Sequence, residues 1–335
     1  RLVLLNERTE ENKTAQKEVR SDGTYLITGG LGALGMETAR WLASRGAKRI
    51  VLCGRGGGVS PSTAEKIDAL ERSGVGVSVF SADVAVREDV TRMMEALSGM
   101  PPLRGIVHAA GVLDDGVIGE QTWERFVRVM SPKIDGAWNL WEATRGMSLD
   151  FWVCYSSAAS ILGSPGQGNY AAANAFLDLL AHDLRRSGVR ATTINWGPWA
   201  LGMTAGIDHP GRKRIAAQGF RAIGPAEGFA VLERLLLAEV TQGCVLSVDW
   251  EAYFRHQFRG TSLPFFATLA GENIVLGDVG GGKSAVLQKL TCVPENQRRG
   301  ILRDYVGAQV AAVLGERTAD GIRPRQRLFD LGIDS

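Results

Sequence analysis

Tyr170 and Asn174 stand four residues apart in the alanine-rich stretch GNYAAANAF (168–176), which reads as helix, so the two share one helix face. A phenol with an ordinary pKa near 10 releases a proton at neutral pH only where a cation stabilises its anion. Asn174 brings no charge. Upstream, FWVCYSS reads as a strand that ends in Ser156 and Ser157. A serine at the carboxyl end of a strand in an open α/β sheet faces the ligand crevice. Ser157 is thus placed to donate a hydrogen bond to a carbonyl while Tyr170 delivers the proton. The amphipathic stretch before that strand, VMSPKIDGAWNLW, holds one lysine, Lys133. Singly, Lys133 reads as a surface lysine and Tyr170 as a packed aromatic. Ser157 and Tyr170 together suit carbonyl chemistry.

The elements that must position them alternate in type. Seven short apolar or β-branched runs, TYLIT, RIVLC, VSVFSADV, GIVHAAG, FWVCYSS, ATTINWG and CVLSVDW, read as strands. Amphipathic stretches such as METARWLASRG, TAEKIDALERSG, REDVTRMMEALSG and NAFLDLLAHDLRRSG lie between them. Nearly continuous apolar strands alternating with helices predict an α/β fold, a Rossmann-type doubly wound parallel sheet covered on both faces. Residues 1–22 read as a polar linker, 23–255 as the catalytic domain and 256–294, with its GGG at 280–282, as a second linker. Helical spacing resumes at 295–315, with Ile301, Leu302, Val306, Val310 and Leu314 on one face.

Composition closes off other classes. With 45% hydrophobic and 22% charged residues and a net charge of +2, the chain has neither a nucleic-acid-binding field nor a membrane-binding one. It has no apolar run long enough to span a bilayer and no signal peptide, and starting without Met it reads as a fragment. Cys53, Cys154, Cys244 and Cys292 are isolated, which argues against a disulfide frame or a zinc site; no metal is expected, and a reducing cytoplasmic compartment is.

The first strand runs into TGGLGALG (28–35), where Gly30, Gly32 and Gly35 form a G-x-G-x-x-G turn opening a helix. Such a turn lets backbone amides approach a pyrophosphate at a helix N-terminus. After the second strand come Gly54 and Arg55 with no acid. An arginine there suits a ribose 2′-phosphate and therefore NADPH, or else it is a solvated loop residue. Asp83 either meets the adenine amino group or caps the following helix. The expected cofactor contacts are Thr28, Gly29, Gly30, Gly32, Leu34, Gly35, Arg55, Asp83, Val84, Lys133 and the HAAG residues Ala109, Ala110 and Gly111.

TGGLGALG, HAAGVLDDGV, SPKIDGAWNL, YSSAASILGSPGQGNYAAANAF and INWGPW together resemble the ketoreductase domains of modular polyketide synthases, over roughly residues 21–255. These are an extended branch of the short-chain dehydrogenase/reductase superfamily. The superfamily's tyrosine is followed four residues on by lysine; in the ketoreductases lysine and asparagine have exchanged places. The resemblance implies a catalytic set of Lys133, Ser157, Tyr170 and Asn174, with Lys133 carrying the charge that lowers the phenol and Asn174 positioning a water or the lysine. It implies NADPH-dependent reduction of a carrier-bound β-ketoacyl thioester, with other synthase domains as partners.

Within that resemblance, Leu113-Asp114-Asp115 matches the triplet of B-type domains, which give a D-configured hydroxyl, though the two acids also read as a turn with an N-cap. Leu162 stands where A-type domains carry tryptophan, and Ala172 where an epimerising subtype carries proline, so the expectation is B1-like. Residues 195–224 read as a mobile lid or a structured loop, with Met203 and Phe220 as acyl-chain contacts. LFDLGIDS resembles a carrier motif with Ser335 as the phosphopantetheine site, making 295–335 a truncated carrier, and RLVLL resembles the last strand of a structural subdomain. Two alternatives stand beside this: a free-standing reductase of small ketones, and a catalytically silent scaffold that binds cofactor or carrier.

Overall fold

The computed structural model describes residues 19–56, 58–202, 216–257, 266, 286 and 289–314. In chain order the elements of the larger unit are β1 (Thr24–Thr28), α1 (Ala33–Ser44), β2 (Arg49–Gly54), α2 (Pro61–Arg72), β3 (Gly76–Ser81), α3 (Arg87–Leu97), β4 (Leu103–His108), α4 (Trp123–Met130), α5 (Ile134–Thr144), β5 (Phe151–Ser157), α6 (Ala159–Leu162), α7 (Gly168–Arg186) and β6 (Ala191–Trp196). A two-residue strand β7 (Phe220–Arg221), a helix Pro225–Leu237, β8 (Gln242–Val245) and β9 (Ser247–Val248) follow.

Seven strands make one sheet in the order β3-β2-β1-β4-β5-β6-β8, all pairs parallel. The chain leaves β1 outward to β2 and β3, then returns to β4 on the other side. Loops at the carboxyl ends of β1 and β4 therefore part and leave a crevice.

Burial on both faces explains why the strands read as continuous apolar runs. Tyr25 and Ile27 of β1, Leu52, Val107, Val153 and Ile194 pack with Trp41 and Leu42 of α1 and with Phe229 and Leu232 of the helix Pro225–Leu237. The alternate residues Leu26, Val51, Ile106 and Trp152 pack on the other face with Met93 of α3, Leu140 of α5 and Leu177 and Leu180 of α7. Each such side chain contributes about 1.5–3 kcal/mol relative to exposure.

Three local departures from the sequence expectation have physical causes. CVLSVDW is not one strand: it divides after Val245, whose carbonyl accepts from Gly197 N–H at 2.8 Å, and Ser247–Val248 instead pairs antiparallel with β7. Lys133 does not lie within a helix. Pro132 has no N–H to continue α4, the Lys133 N–H turns back to the Met130 carbonyl at 3.0 Å, and α5 starts at Ile134. Val19, in the stretch read as linker, is buried in the sheet core, and Arg20 N–H donates to the Tyr25 hydroxyl.

In the smaller unit, β7 and β9 pair and a helix spans Trp250–Gln257. Phe220, Tyr253, Phe254 and Phe266 cluster with ring centroids 5.3–5.9 Å apart. A helix Glu295–Leu314 forms where its spacing predicts. The expected apolar face is not buried: Leu302 and Val306 are 48% and 49% exposed. Most of the predicted linker 256–294, and all of 1–18, lie outside the described residues. Among the described residues no helix is long and apolar enough to cross a membrane.

Candidate functional site

β5 carries Ser157 to the crevice, and the loop after it delivers Tyr170 and Asn174 on the first turns of α7. Pro132 sets Lys133 at the junction of α4 and α5, from which its side chain is 97% buried. The ammonium donates to the Tyr155 carbonyl at 2.9 Å and lies 5.7 Å from the centroid of the Tyr170 ring, within cation–π range. Gly111 backs onto the same side chain, so close that a Cβ there would stand 3.0 Å from Lys133 Cε. Lys133 and Tyr170, 37 positions apart in sequence, are thus brought together.

Burial pulls Lys133 down to about 8, with Cys154 and Asp178 acting in the opposite sense. Burial raises the Tyr170 phenol, while the Asn174 and Ser157 side chains draw it back and Asp115 adds to the rise. The expected depression of the phenol is therefore absent in the protein on its own: desolvation of the phenolate outweighs its stabilisation. Asn174 donates its amide to the Tyr170 main-chain carbonyl at 2.8 Å, and its Oδ1 is buried without a partner. Ser157 Oγ accepts from Ala159 N–H at 3.2 Å.

Asp114 and Asp115 do not cap α4; Thr122 does, accepting from Arg125 N–H. Asp114 is held by Arg125 at 2.7 Å and Arg128 at 2.9 Å, and its carbonyl accepts from Asn169 at 2.8 Å. Asp115 accepts from Gln167 at 2.9 Å, and Gly116 N–H donates to the Gly166 carbonyl at 2.8 Å. The Leu113–Gly116 loop is thereby tied to the turn that starts α7. Leu162 ends α6, partly buried. Phe220 belongs to the smaller unit, and Met203 and Ser335 lie outside the described residues.

The glycine turn fits a dinucleotide. Gly29 has φ +65°, and a Cβ on it would stand 2.8 Å from the Ala109 carbonyl; one on Gly35 would run into the Gly29 carbonyl. α1 opens at Gly32 with no side-chain cap and no acid in its first turn, leaving its positive end to an anion. Thr28 Oγ1 lies 2.8 Å from His108 Nδ1 and accepts from Ala110 N–H at 3.3 Å, tying the first and fourth strand ends together. Arg55 is exposed just past β2 and Val84 packs beneath α5, where a Cβ on Gly136 would meet it at 2.6 Å. Asp83 does not cap α3; that position is Val86. Its Oδ1 accepts from Ala85 N–H at 3.0 Å in an Asx turn.

Sequence reading missed the polar cluster behind β5. Asn195 reaches Ser156 Oγ, Ser160 Oγ and Asp178 Oδ2 at 3.1, 2.8 and 2.8 Å. A signal for it existed, since Tyr170, Asn174 and Asp178 recur every four residues on one face of α7.

A doubly wound parallel sheet with a glycine turn after its first strand, and serine, tyrosine and a buried lysine at the crevice, defines a short-chain dehydrogenase/reductase architecture. The KR domain family matches residues 23–201, over half of the chain, and the chain belongs to that family. It is 38% identical over 317 residues to the spectinabilin polyketide synthase system protein NorB of Streptomyces orinoci, covering 93% of this chain and 15% of that protein. It is 36% identical over 326 residues to polyketide synthase GfsB of Streptomyces halstedii, covering 93% of this chain and 6% of that one. The chain therefore spans a small part of these large relatives. Among solved structures, an A-type ketoreductase from a modular polyketide synthase matches with TM-score 0.65 and 36% identity, over 69% of this chain and 49% of that one. Membership implies an oxidoreductase of the ketoreductase kind.

Proposed function

We propose that the chain reduces the β-keto group of a carrier-bound acyl thioester to a D-configured hydroxyl, with NADPH as reductant. The observation that carries this reading is the buried Lys133 ammonium against the Tyr170 ring, 5.7 Å from its centroid, beside the Ser157 strand end. When bound, the reduced nicotinamide supplies the hydride to the β-carbon. Ser157 and the Tyr170 hydroxyl hydrogen-bond the keto oxygen and stabilise the alkoxide as it develops. Tyr170 then protonates that oxygen. Its raised pKa keeps the phenol protonated and ready to donate at neutral pH, and the Lys133 cation stabilises the phenolate that remains. Asn174, with Oδ1 unpartnered, holds a water for proton resupply. The glycine turn would hold the pyrophosphate, and Arg55 the 2′-phosphate.

The D-configuration rests on Leu113-Asp114-Asp115 with Leu162 and Ala172, read as a B1-like set. We further propose a catalytic domain of residues 23–255, a truncated carrier segment at 295–335 ending in Ser335, neighbouring synthase domains as partners, and a cytoplasmic setting. The test is incubation with NADPH and a short β-ketoacyl thioester, following cofactor oxidation and resolving the product on a chiral column. Turnover to the D-alcohol supports the reading, the L-alcohol as main product overturns the stereochemical part, and cofactor binding without turnover points to the silent scaffold.

A further inference from the structure

Asn195 of β6 points its side chain toward β5 and α7, where it is fully buried. Its amide NH2 has two hydrogens to give and faces four oxygens. Asp178 Oδ2 and Ser160 Oγ lie at 2.8 Å, Ser156 Oγ at 3.1 Å and the Ser157 carbonyl at 3.4 Å. Its Oδ1 accepts from Gln242 of β8 at 3.1 Å, which fixes the orientation of the amide. Two of these oxygens lead on to the site. Ser156 Oγ donates to the Asn174 main-chain carbonyl at 3.2 Å, in the turn of α7 that also carries Tyr170. Ser160 Oγ lies 2.8 Å from the Ser157 carbonyl and 2.7 Å from Asp178 Oδ2. One amide thus touches the end of β5, α6 and α7. Burying it costs free energy unless its hydrogen bonds are made, and here they are made to the elements that present the site.

We propose that Asn195 is a positioning residue of the reductase site: acting through Ser156 and Ser160, its amide holds the β5 end that presents Ser157 against the turn of α7 that presents Tyr170 and Asn174. The proposal deepens the reductase reading and rests on it.

Ser157 and Tyr170 stand on different elements and must meet one keto oxygen, and a misplacement of about 1 Å there carries a large kinetic penalty. A side chain on neither element, tied to both, fixes their separation without touching the substrate. Strand alternation supplies a matched comparison. Thr192, on the other face of β6, is 1% exposed and donates to the Val240 carbonyl at 2.9 Å. It holds the strand by the same kind of bond, but to the segment that leads into β8.

The experiment compares Asn195→Ala, Ser156→Ala, their double variant and Thr192→Val in the full chain. Each is read for NADPH dissociation constant, thermal midpoint, kcat on a short β-ketoacyl thioester, and amide exchange over residues 168–178. kcat is expected to fall roughly tenfold in Asn195→Ala and in Ser156→Ala, with NADPH affinity kept. Because the two act in one chain of contacts, the double variant falls no further than Asn195→Ala. Exchange at the start of α7 speeds up roughly fivefold in Ser156→Ala, as loss of one hydrogen bond would make it. Thr192→Val lowers the thermal midpoint yet keeps both kcat and the exchange rate. Ser156→Ala carries the test where Asn195→Ala does not fold. Unchanged kcat in a folded Ser156→Ala, additive losses in the double variant, or an equal fall in Thr192→Val overturns the proposal. A parent chain that binds NADPH but never turns over overturns the reductase reading instead. Exchange then decides the brace, which stands if Ser156→Ala quickens it and falls if it does not.

Discussion

Lys133 does two incompatible things: it carries charge, and it sits almost wholly out of water. Its hydrogen bond to the Tyr155 carbonyl and its position on the Tyr170 ring offset part of the desolvation, and a titration near 8 is what remains. Tyr170, by contrast, keeps its proton at neutral pH, because burial raises its phenol. Replacing Tyr170 by Phe removes the donor but little packing, so kcat is expected to fall by roughly 10²–10⁴-fold with NADPH affinity unchanged; equilibrium cofactor titration beside steady-state kinetics checks it. Ser157, Tyr170 and Asn174 stand out in sequence because a strand end and one helix face place them, whereas Lys133 is singled out only by the resemblance to the ketoreductases. Asp178 does not stand out. Its burial is decided by Thr193 and Asn195 on β6, and within NAFLDLLAHDLRR it reads as one more polar position of an amphipathic helix.

Among elements, the Leu113–Gly116 loop is the least autonomous. It has no regular structure of its own and is fixed by Arg125 and Arg128 from α4 and by Gln167 and Asn169 at the start of α7. Because Asp114 is paired with two guanidiniums, on the proposed reading it would act on a substrate through the loop's shape. Replacing Arg125 by Ala is therefore expected to lower the ratio of D- to L-alcohol by roughly tenfold while cofactor affinity is kept, since small misplacements near the reacting centre carry large kinetic penalties. Chiral analysis of the product at matched conversion tests this; an unchanged ratio assigns stereocontrol elsewhere. The alternation of strands and helices was legible because both faces of the sheet are buried and strand residues are apolar throughout. The division of CVLSVDW was not, because β7 is only two residues long and carries no periodicity.

Across the whole molecule, buried titratable groups set the pH range of stability. His108 has a folded-state value of about 3 against an ordinary 6.5, so the unfolded chain binds the extra proton and stability falls as pH drops from about 6.5 toward 3. Cys53, Cys154 and Cys244 are pushed from 9 up to about 12, so the folded chain keeps protons that the unfolded chain loses, and stability falls as pH climbs through that window. Lys133, lowered from 10.5 to about 8, works the other way over that span, one group against three. Urea midpoints are expected to peak between about 6.5 and 9, and His108→Asn is expected to flatten the acid flank; an unaltered flank refutes the assignment to His108. The sheet order carries one more consequence. The first strand pairs with Leu103–His108 as well as with Arg49–Gly54, and Thr28 joins His108 across 80 positions. As the polypeptide leaves the ribosome, the glycine turn emerges before Ala109 and Ala110 and stays unbacked until they follow it out. On the proposed reading, a nucleotide held at that turn would stabilise only a nascent chain that has already closed its central strands.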